Sequence, residues 1–251
     1  MRHGSPSDAL RDVYELRAEL EYPRPFPPPD PRTHRKFFRV LDLVLPLLPC
    51  GALLDAGCGD GLYLEAIGAR ATRLVGTDIS SRILETARAT AARSGIEPEL
   101  VQANVESLPF PDGSFDVVLC TQVIEHLLAP GDGVRELARV LRPGGTLVLT
   151  TDSSRNFVTR ALNAPHDAAV ALLRLRGRRL KVHFPHATFA PDEVVRLVKD
   201  AGLRPQRVET FRFHLEWPFD RPALQQMLNR LEDALPRGHG LGDIVTVVAR
   251  A

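Results

Sequence analysis

Short apolar runs alternate with helix-like stretches along the middle of this chain, and this alternation restricts the fold more than any other feature of the sequence. Stretches of about 60–70, 80–94 and 131–141 are predicted to be helices, and LRPGG at 141–145 is predicted to be a turn. Between them lie apolar runs that predict strands: GALLDAG (51–57), RLVGTD (73–78), PELVQAN (98–104), FDVVLC (115–120) and TLVLTTD (146–152). Such short runs, separated by helices, are typical of a parallel sheet that is covered on both faces.

The N-terminal part of the chain predicts a helical flap. Residues 8–21 and about 33–48 have the apolar spacing of helices, and six prolines occupy positions 23–31 between them. Because proline lacks the N–H group that helices and inner strands need, this stretch is predicted to be an extended connector. We therefore expect a flap and connector over residues 1–50 and one larger domain over residues 51–251.

The C-terminal part predicts an insertion and the last two strands. Helical pieces over residues 152–189 interrupt the alternation after the fifth strand and are expected to cap a substrate. The remaining predicted elements are a helix that begins at Pro191 and ends at Gly202, strands at 206–213 and 243–250, and a helical stretch at 221–235 between those strands. Together these elements predict an α/β fold, a Rossmann-like doubly wound and mostly parallel sheet of seven strands.

Charge and cysteine content limit the partners and the compartment. Lys and Arg number 32 and Asp and Glu 31, so the formal net charge is +1 and no overall field attracts nucleic acid or an anionic membrane. The three cysteines are widely spaced and show no metal-ligand pattern, which fits a reducing compartment. The N-terminus is too polar for a signal peptide, and no apolar run approaches the length of a membrane span. We expect a cytoplasmic protein with no bound metal and no nucleic-acid partner.

Three alternating glycines, Gly57, Gly59 and Gly61, follow the first predicted strand. A glycine-rich turn before a helix lets a ligand approach the backbone closely, and the helix start offers unpaired N–H groups. The dinucleotide fingerprint G-x-G-x-x-G would need glycine where Leu62 stands, and the Gly-Lys-Ser/Thr of a Walker loop is absent. The turn therefore predicts a nucleoside-type ligand that lacks a pyrophosphate, and it disfavours an NAD(P) oxidoreductase.

Two aspartates define that ligand further. Asp78 closes the second predicted strand, 21 residues after Gly57, where a carboxylate can accept both hydroxyl protons of a ribose. Asp55 stands just before the glycines, where a carboxylate balances a cation and repels a pyrophosphate. A ribose together with positive charge fits S-adenosylmethionine, which carries a sulfonium and an α-ammonium group.

At these residues the chain resembles the class I S-adenosylmethionine-dependent methyltransferases. The resemblance covers about residues 50–152, through DAGCGDG, GTDIS, ANVESLPFPDGSFDVVLCTQVIEHL and LRPGGTLVLTT, with a weaker echo in FAPDEVVRLVKDAGL. Layouts with an insertion after the fifth strand are similar to enzymes of quinone, phenol, lipid or natural-product methylation. The resemblance implies S-adenosyl-L-methionine as cofactor, with S-adenosyl-L-homocysteine as product.

The resemblance also implies roles for individual residues. Near the methionine part it places Asp55, Gly57, Cys58, Gly59 and Gly61, of which the Cys58 thiol is expected only to pack. Near the ribose and adenine it places Asp78, Ile79, Asn104 and Val105. Near the reactive methyl group it places Thr121 and Gln122. Asn104 stands where this family usually has aspartate, so its oxygen would accept from the adenine amino group without charge.

Methyl transfer needs alignment of donor and acceptor, and a base when the acceptor is protonated. The predicted candidates for catalysis are His126, His183 and His186, with Glu125 behind them. Tyr14 and Tyr22 are predicted to lie in a flap that folds over the cofactor. The acceptor is expected to be a small molecule, with oxygen the preferred atom, then carbon, then nitrogen.

Two alternatives remain open from the sequence. The chain could hold the cofactor or its product as a non-catalytic binding protein of the same fold. The basic run RLRGRRLK at 174–181 could be a solvated helix end, or it could grip an anionic or lipid-like acceptor.

Overall fold

The structure is a computed structural model of the 251-residue chain. It describes residues 6–21, 34–155, 187–211, 227–231, 234–235 and 242–251. The proline-rich connector, most of the predicted cap insertion and most of the predicted helix at 221–235 lie outside the described residues, although 227–231 are helical.

Six helices and seven strands are described from end to end, besides the helical residues 227–231. The helices are α1 (Pro6–Glu21), α2 (Arg35–Val44), α3 (Leu62–Ile67), α4 (Ser81–Ala92), α5 (Pro130–Val140) and α6 (Pro191–Asp200). The strands are β1 (Cys50–Ala56), β2 (Ala71–Asp78), β3 (Glu99–Gln102), β4 (Phe115–Thr121), β5 (Leu141–Asp152), β6 (Arg204–Phe211) and β7 (Ile244–Arg250). Short 3₁₀ turns occupy Leu45–Leu47, Gly68–Arg70 and Ile124–His126.

The seven strands form one sheet in the order β3-β2-β1-β4-β5-β7-β6. β7 runs antiparallel to both of its neighbours, β5 and β6, and the other pairs are parallel. The strand order reverses between β1 and β4, and ligands of open α/β sheets bind at the carboxyl ends of the strands beside such a reversal. The predicted doubly wound, mostly parallel sheet is confirmed, and it places the β1–α3 glycine turn at this crevice.

Neighbouring residues of each inner strand enter different cores. Leu53 of β1 packs with Phe37 of α2 and Leu64 of α3 on one face, whereas Leu54 packs with Leu137 of α5 on the other face. All but Phe37, which is 8% exposed, are inaccessible to solvent. Complete burial stabilises a leucine side chain by about 1.5–3 kcal/mol, so the two apolar cores hold the sheet between its helices.

The LRPGG segment differs from its prediction as a turn, because β5 already begins at Leu141. Leu141 pairs with Phe115 and Thr146 pairs with Val117, so residues 142–145 bulge opposite a single residue of β4. Gly144 adopts φ +78°, a conformation that favours glycine. The bulge remains part of the sheet because its other edge is hydrogen-bonded to the last residue, with the Gly144 N–H donating to the Ala251 carbonyl at 3.2 Å.

Candidate active site

The glycine turn after β1 presents an open side at Gly59. A Cβ atom on Gly57 would lie 2.4 Å from Val123 Cγ2, and one on Gly61 would lie 2.9 Å from the Ala87 backbone of α4, so packing inside the protein requires both glycines. A Cβ on Gly59, which has φ +53°, would meet nothing within 4 Å. The Cys58 N–H donates to the Thr77 carbonyl at 2.7 Å and its side chain is buried, in keeping with a packing role. The turn therefore leaves space for a ligand above Gly59.

Asp55 is the last but one residue of β1, and the two oxygens of its buried carboxyl group have no hydrogen-bond partner among the described residues. Burial, together with the nearby carboxylates of Asp60 and Asp78, raises the pKa of Asp55 to about 8. Buried polar groups in native structures are nearly always satisfied, so an unpaired carboxyl at a ligand crevice indicates that its partner is a ligand. A cation there would restore the ionised form of Asp55.

Asp78, the last residue of β2, is positioned by the backbone. One carboxylate oxygen accepts the Gly59 N–H at 3.2 Å and the other accepts the Ser80 N–H at 3.0 Å. Burial raises the pKa of Asp78 to about 6, and these N–H donors oppose the rise. Each oxygen keeps lone pairs for a further donor, which suits the two hydroxyl groups of a ribose.

Asn104 follows β3 in a tight turn that uses both ends of its side chain. The Asn104 carbonyl oxygen accepts the Glu106 N–H at 3.0 Å, and its amide nitrogen donates to the Glu106 carboxylate at 3.0 Å and to Ser7 Oγ of α1 at 3.3 Å. An aspartate here would face Glu106 as a second negative charge, which explains why an amide fits. Val105 is buried beneath this turn and Ile79 is half-buried at the end of β2, so both lie at the edge where the adenine was predicted.

The end of β4 is held in an uncommon backbone conformation. Gln122 has φ +57°, the one positive φ among the described non-glycine residues, and its N–H donates to the Thr150 carbonyl at 2.9 Å. Its side-chain oxygen accepts from Lys36 Nζ of α2 at 3.4 Å, and its side-chain nitrogen is buried without a hydrogen-bond partner in the described part of the chain. Thr121 is hydrogen-bonded to the hydroxyl group of Tyr63, which stacks on Phe37 at 4.9 Å between ring centroids. Strained, over-determined positions of this kind cluster at functional sites.

Lys36, Asp60 and Tyr63 are site residues that the sequence did not indicate. Lys36 lies in α2, and its charge lowers the pKa of both Asp60 and Glu125 against the effect of burial, which places it between the glycine turn and the end of β4. No motif marks a lysine in the preceding helix. The amphipathic pattern of residues 33–48 predicted the helix that carries Lys36, but it did not indicate which strands of the sheet this helix would cover.

Glu125 is a buried acid behind the site. Burial raises its pKa to about 7, while the hydroxyl group of Thr151, at 2.8 Å from Oε2, opposes the rise. The following residue, His126, places its ring edge-on to Tyr14 of α1, with 5.9 Å between ring centroids. Of the predicted catalytic residues, the structure therefore brings His126 to the carboxyl edge. His183 and His186 lie outside the described residues.

Helix α1 runs along the same edge of the sheet. Its Glu15 accepts hydrogen bonds at the start of α4, from Ser80 Oγ at 2.9 Å and from the Ser81 N–H at 2.7 Å. Although burial raises the pKa of Glu15, these donors outweigh it and the net shift is downward. With Ser7 on Asn104 and Tyr14 on His126, α1 contacts the ends of β2, β3 and β4. Tyr22, also predicted in the flap, lies outside the described residues.

Metal and membrane features were searched over the described residues only. In those ranges no group of three or more His, Cys, Asp and Glu side chains is arranged to hold a metal ion. No helix there is long and apolar enough to cross a membrane.

Comparison with known proteins identifies the domain that carries these residues. The family described as "Methyltransferase domain" matches residues 54–149, from β1 to β5. A ubiquinone biosynthesis O-methyltransferase of Thiobacillus denitrificans is 32% identical over 158 residues, which cover 62% of this chain and 66% of the relative. One of the same name from Ruegeria pomeroyi is 32% identical over 170 residues, 66% of this chain and 65% of the relative. The chain thus spans just under two thirds of the length of these relatives.

A solved structure shows the same fold. Magnesium protoporphyrin IX methyltransferase from Synechocystis PCC 6803, solved with bound S-adenosylhomocysteine, superposes with a TM-score of 0.64 at 14% identity, over 97% of this chain and 98% of that one. The sheet order, the unpaired Asp55, the Asp78 carboxylate and these matches agree. The part of the chain from β1 to β5 is thus a methyltransferase domain of the class I, S-adenosylmethionine-dependent kind, whose cofactor is S-adenosyl-L-methionine.

Proposed function

We propose that this chain transfers the methyl group of S-adenosylmethionine to an oxygen atom of a small-molecule acceptor. The observation that carries this proposal is the buried Asp55 carboxyl, which is unpartnered among the described residues and lies near the end of β1, beside the strand β2 that ends in Asp78. A cationic adenosyl ligand satisfies both groups at once. The O-methyltransferases of ubiquinone biosynthesis among the relatives support oxygen as the accepting atom.

The residues at the carboxyl edge of the sheet can be assigned to the ribose, the adenine and the methionine part of the cofactor. Asp78 would accept the ribose hydroxyls, Ile79 and Val105 would pack near the adenine, and Asp55 would face the ammonium group. Lys36 supplies the positive charge that the carboxylate of the methionine part needs. The bound cofactor supplies an activated methyl group, so the protein's task is to align the acceptor and exclude water.

Proton removal from the acceptor is assigned to the end of β4. Glu125 has a pKa of about 7, near the value at which a general base is most effective at neutral pH. His126 lies next to it in sequence and His183 and His186 remain candidates from the predicted cap. A phenol is the acceptor that benefits most, because its hydroxyl group is protonated at neutral pH and acidic enough for a carboxylate or imidazole to assist.

We propose that α1 closes this site over the cofactor. Glu15 fastens the helix to the start of α4, beside the ribose acceptor Asp78, whose pKa it raises through its charge. Replacing Glu15 with Ala is expected to speed release of S-adenosylhomocysteine in stopped-flow measurements. Asp12→Ala, an exposed acid on the same helix, is the matched control, and equal release rates in the two variants would refute the closure.

The compartment and the acceptor class are part of the proposal. Cys50, Cys58 and Cys120 are free cysteines, which agrees with a reducing cytoplasm. A lipid-like or anionic acceptor stays a prediction from the basic run at 174–181, which lies outside the described residues.

Turnover is tested by incubating the protein with methyl-labelled S-adenosylmethionine and a panel of catechols, simple phenols, amines and fatty acids. We expect label in the ether methyl of a phenolic product, and much slower transfer by the Asp78→Ala variant at a cofactor concentration that does not saturate it. Tight binding of S-adenosylhomocysteine with no transfer to any acceptor would favour the non-catalytic alternative.

A further inference from the structure

Four polar side chains form one continuous row across the second half of the sheet. Thr121 of β4 pairs with Thr150 of β5, Thr150 pairs with Thr246 of β7, and Thr246 pairs with Glu209 of β6. We call these four residues the polar row. It begins at the end of β4, where the methyl group is to be transferred, and runs away from the cofactor half of the sheet.

The polar row lies on the face of the sheet that α2 covers. Side chains alternate between faces along a strand, and the neighbours Leu149 and Val245 belong to the opposite core, which contains α5 and α6. Arg39 of α2 confirms this placement, since its guanidinium donates to Glu209 at 3.0 Å. The row is therefore enclosed between the sheet and the helix that also carries Lys36.

The two hydroxyl groups in the middle of the row have no hydrogen-bond partner in the part of the chain that the structure describes. Thr150 is 0% and Thr246 1% exposed, and neither Oγ1 atom has a hydrogen bond among the described residues. Gln122 follows Thr121, the first member of the row, and its buried side-chain nitrogen also has no hydrogen-bond partner among the described residues. Buried polar groups are nearly always hydrogen-bonded, so two unsatisfied hydroxyls side by side in the row, with an unsatisfied amide next to its first member, indicate a ligand.

The far end of the row carries positive charge. Glu209 accepts from Arg39 at 3.0 Å and from Arg207 at 2.7 Å, so two cations face one carboxylate and the group has a net charge of about +1. This end therefore favours a ligand group that is anionic or rich in hydrogen-bond acceptors.

We propose that the polar row is the acceptor-binding subsite, and that the acceptor carries a second polar group, anionic or hydroxylated, on the side away from its methyl-accepting oxygen. Adjacent strands lie about 4.8 Å apart, so the second group would bind roughly 5–10 Å from the reacting oxygen, at Thr150 or Thr246. The inference rests on the proposed methyl transfer and names the class of acceptor: a phenol with a polar substituent, in preference to one with an apolar tail.

The test is calorimetric titration of the full chain, saturated with S-adenosylhomocysteine, with two probes of the same skeleton. These are 3-(3,4-dihydroxyphenyl)propanoate and 4-propylcatechol, which lacks the carboxylate. We expect the wild type to bind the acid at least about tenfold more tightly, and the double variant Thr150→Val/Thr246→Val to lose that preference while its affinity for S-adenosylhomocysteine stays unchanged.

Thr90→Val is the matched control, because Thr90 of α4 is also a buried threonine with an unpartnered hydroxyl but lies outside the row. It should keep the preference for the acid. The double variant should melt no lower than this control, since its hydroxyls have no bonds to lose. A wild type without preference for the acid, including one that binds neither probe, or a double variant that keeps the preference, overturns the subsite. Failure to bind S-adenosylhomocysteine at all overturns the proposed function itself.

Discussion

Two aspartates on the neighbouring strands β4 and β1 differ in whether the protein supplies hydrogen-bond and ion-pair partners for their carboxylates. Asp116, near the start of β4, accepts the Ala52 N–H at 2.6 Å and pairs with Arg142 at 2.5 Å. Asp55, near the end of β1, is fully buried and has no hydrogen-bond partner among the described residues. The first ties β1, β4 and the bulge of β5 together at the amino edge of the sheet. The second leaves its charge for a ligand at the carboxyl edge, so hydrogen-bond satisfaction separates the structural acid from the functional one.

The largest expected effect comes from Asp55→Asn. The substitution keeps the shape of the side chain but removes the charge that faces the ammonium group of the cofactor. We expect affinity for S-adenosylhomocysteine, measured by calorimetry, to fall by about 3 kcal/mol, the upper range for a hydrogen bond to a charged group. If the affinity falls no more than it does in Asp116→Asn, the contrast between the two aspartates has no functional meaning.

Asp78→Ala should have the next largest effect. It removes the acceptor for the ribose hydroxyls and should weaken binding of S-adenosylhomocysteine by about 2 kcal/mol. The Gly59 and Ser80 N–H groups would lose their acceptor and Ser80 is fully buried, so the free energy of unfolding should also fall, by about 1–3 kcal/mol. A loss of stability without a loss of affinity would make Asp78 a structural residue like Asp116.

Asp116→Asn gives the reverse pattern. The amide can still accept the Ala52 N–H but no longer pairs with Arg142 through a charge. We expect a loss of about 1.5 kcal/mol in the free energy of unfolding by urea, with unchanged affinity for S-adenosylhomocysteine. A change in affinity would contradict the assignment of this aspartate to the scaffold.

Stability of the ligand-free protein should depend on pH through the same acids. The folded-state pKa of Asp55, about 8, lies above its ordinary value of 3.8, so the folded protein holds a proton that the unfolded chain releases. Its contribution to stability is full at acidic pH and is lost as pH rises from about 4 to 8, with a slope of at most about 1.4 kcal/mol per pH unit. Asp78 and Glu125 add to this decline up to about pH 6 and 7.

Between pH 7 and 8 the decline should belong mainly to Asp55, since Asp78 has then ionised and Glu125, with a pKa of about 7, is already more than half ionised. Urea unfolding across this range should therefore show a flatter profile in Asp55→Asn than in the wild type. The Asp116→Asn variant, whose change lies at the other edge, should keep the wild-type slope, and parallel slopes in all three proteins would contradict the raised pKa.

The smallest effect is expected for Tyr63→Phe. The hydroxyl group of Tyr63 holds Thr121, while its ring stacks on Phe37 and would be kept. Loss of this one hydrogen bond should raise the Michaelis constant for a phenolic acceptor by a few-fold, about 1 kcal/mol, with little change in cofactor affinity. An equal loss of cofactor affinity would place Tyr63 in the cofactor half of the site.

Features of the fold and the site could be predicted from the sequence when the residues that form them lie close together along the chain. Asp55, the glycine turn and Asp78 lie within the single β1–α3–β2 unit, where the local residue pattern and spacing indicate their positions. The bond from Lys36 to Gln122 joins residues 86 positions apart, and that from Arg39 to Glu209 joins residues 170 apart. Such contacts depend on which strands become neighbours, so no local pattern indicated them.

The polar row and the LRPGG bulge were missed for the same physical reason. Each threonine of the row is an ordinary strand residue, and only the β5-β7-β6 register brings the members into line. The bulge reads as a turn because proline and glycine favour turns, yet hydrogen bonds to the last residue of the chain keep it in the sheet. Asn104, by contrast, was noticed as a departure, and its pairing with Glu106 supplies the reason.

The measurement that tests the central claim most directly is the number of protons released when the wild type binds S-adenosylmethionine at pH 7. It is obtained by calorimetric titration in buffers of different ionisation enthalpy. Because the pKa of Asp55 is about 8 in the free site and the cofactor's cationic groups favour the ionised form, we predict saturable one-to-one binding that releases close to one proton, and much less in Asp55→Asn. Absence of saturable heat, or equal proton release by the wild type and the variant, would contradict the account.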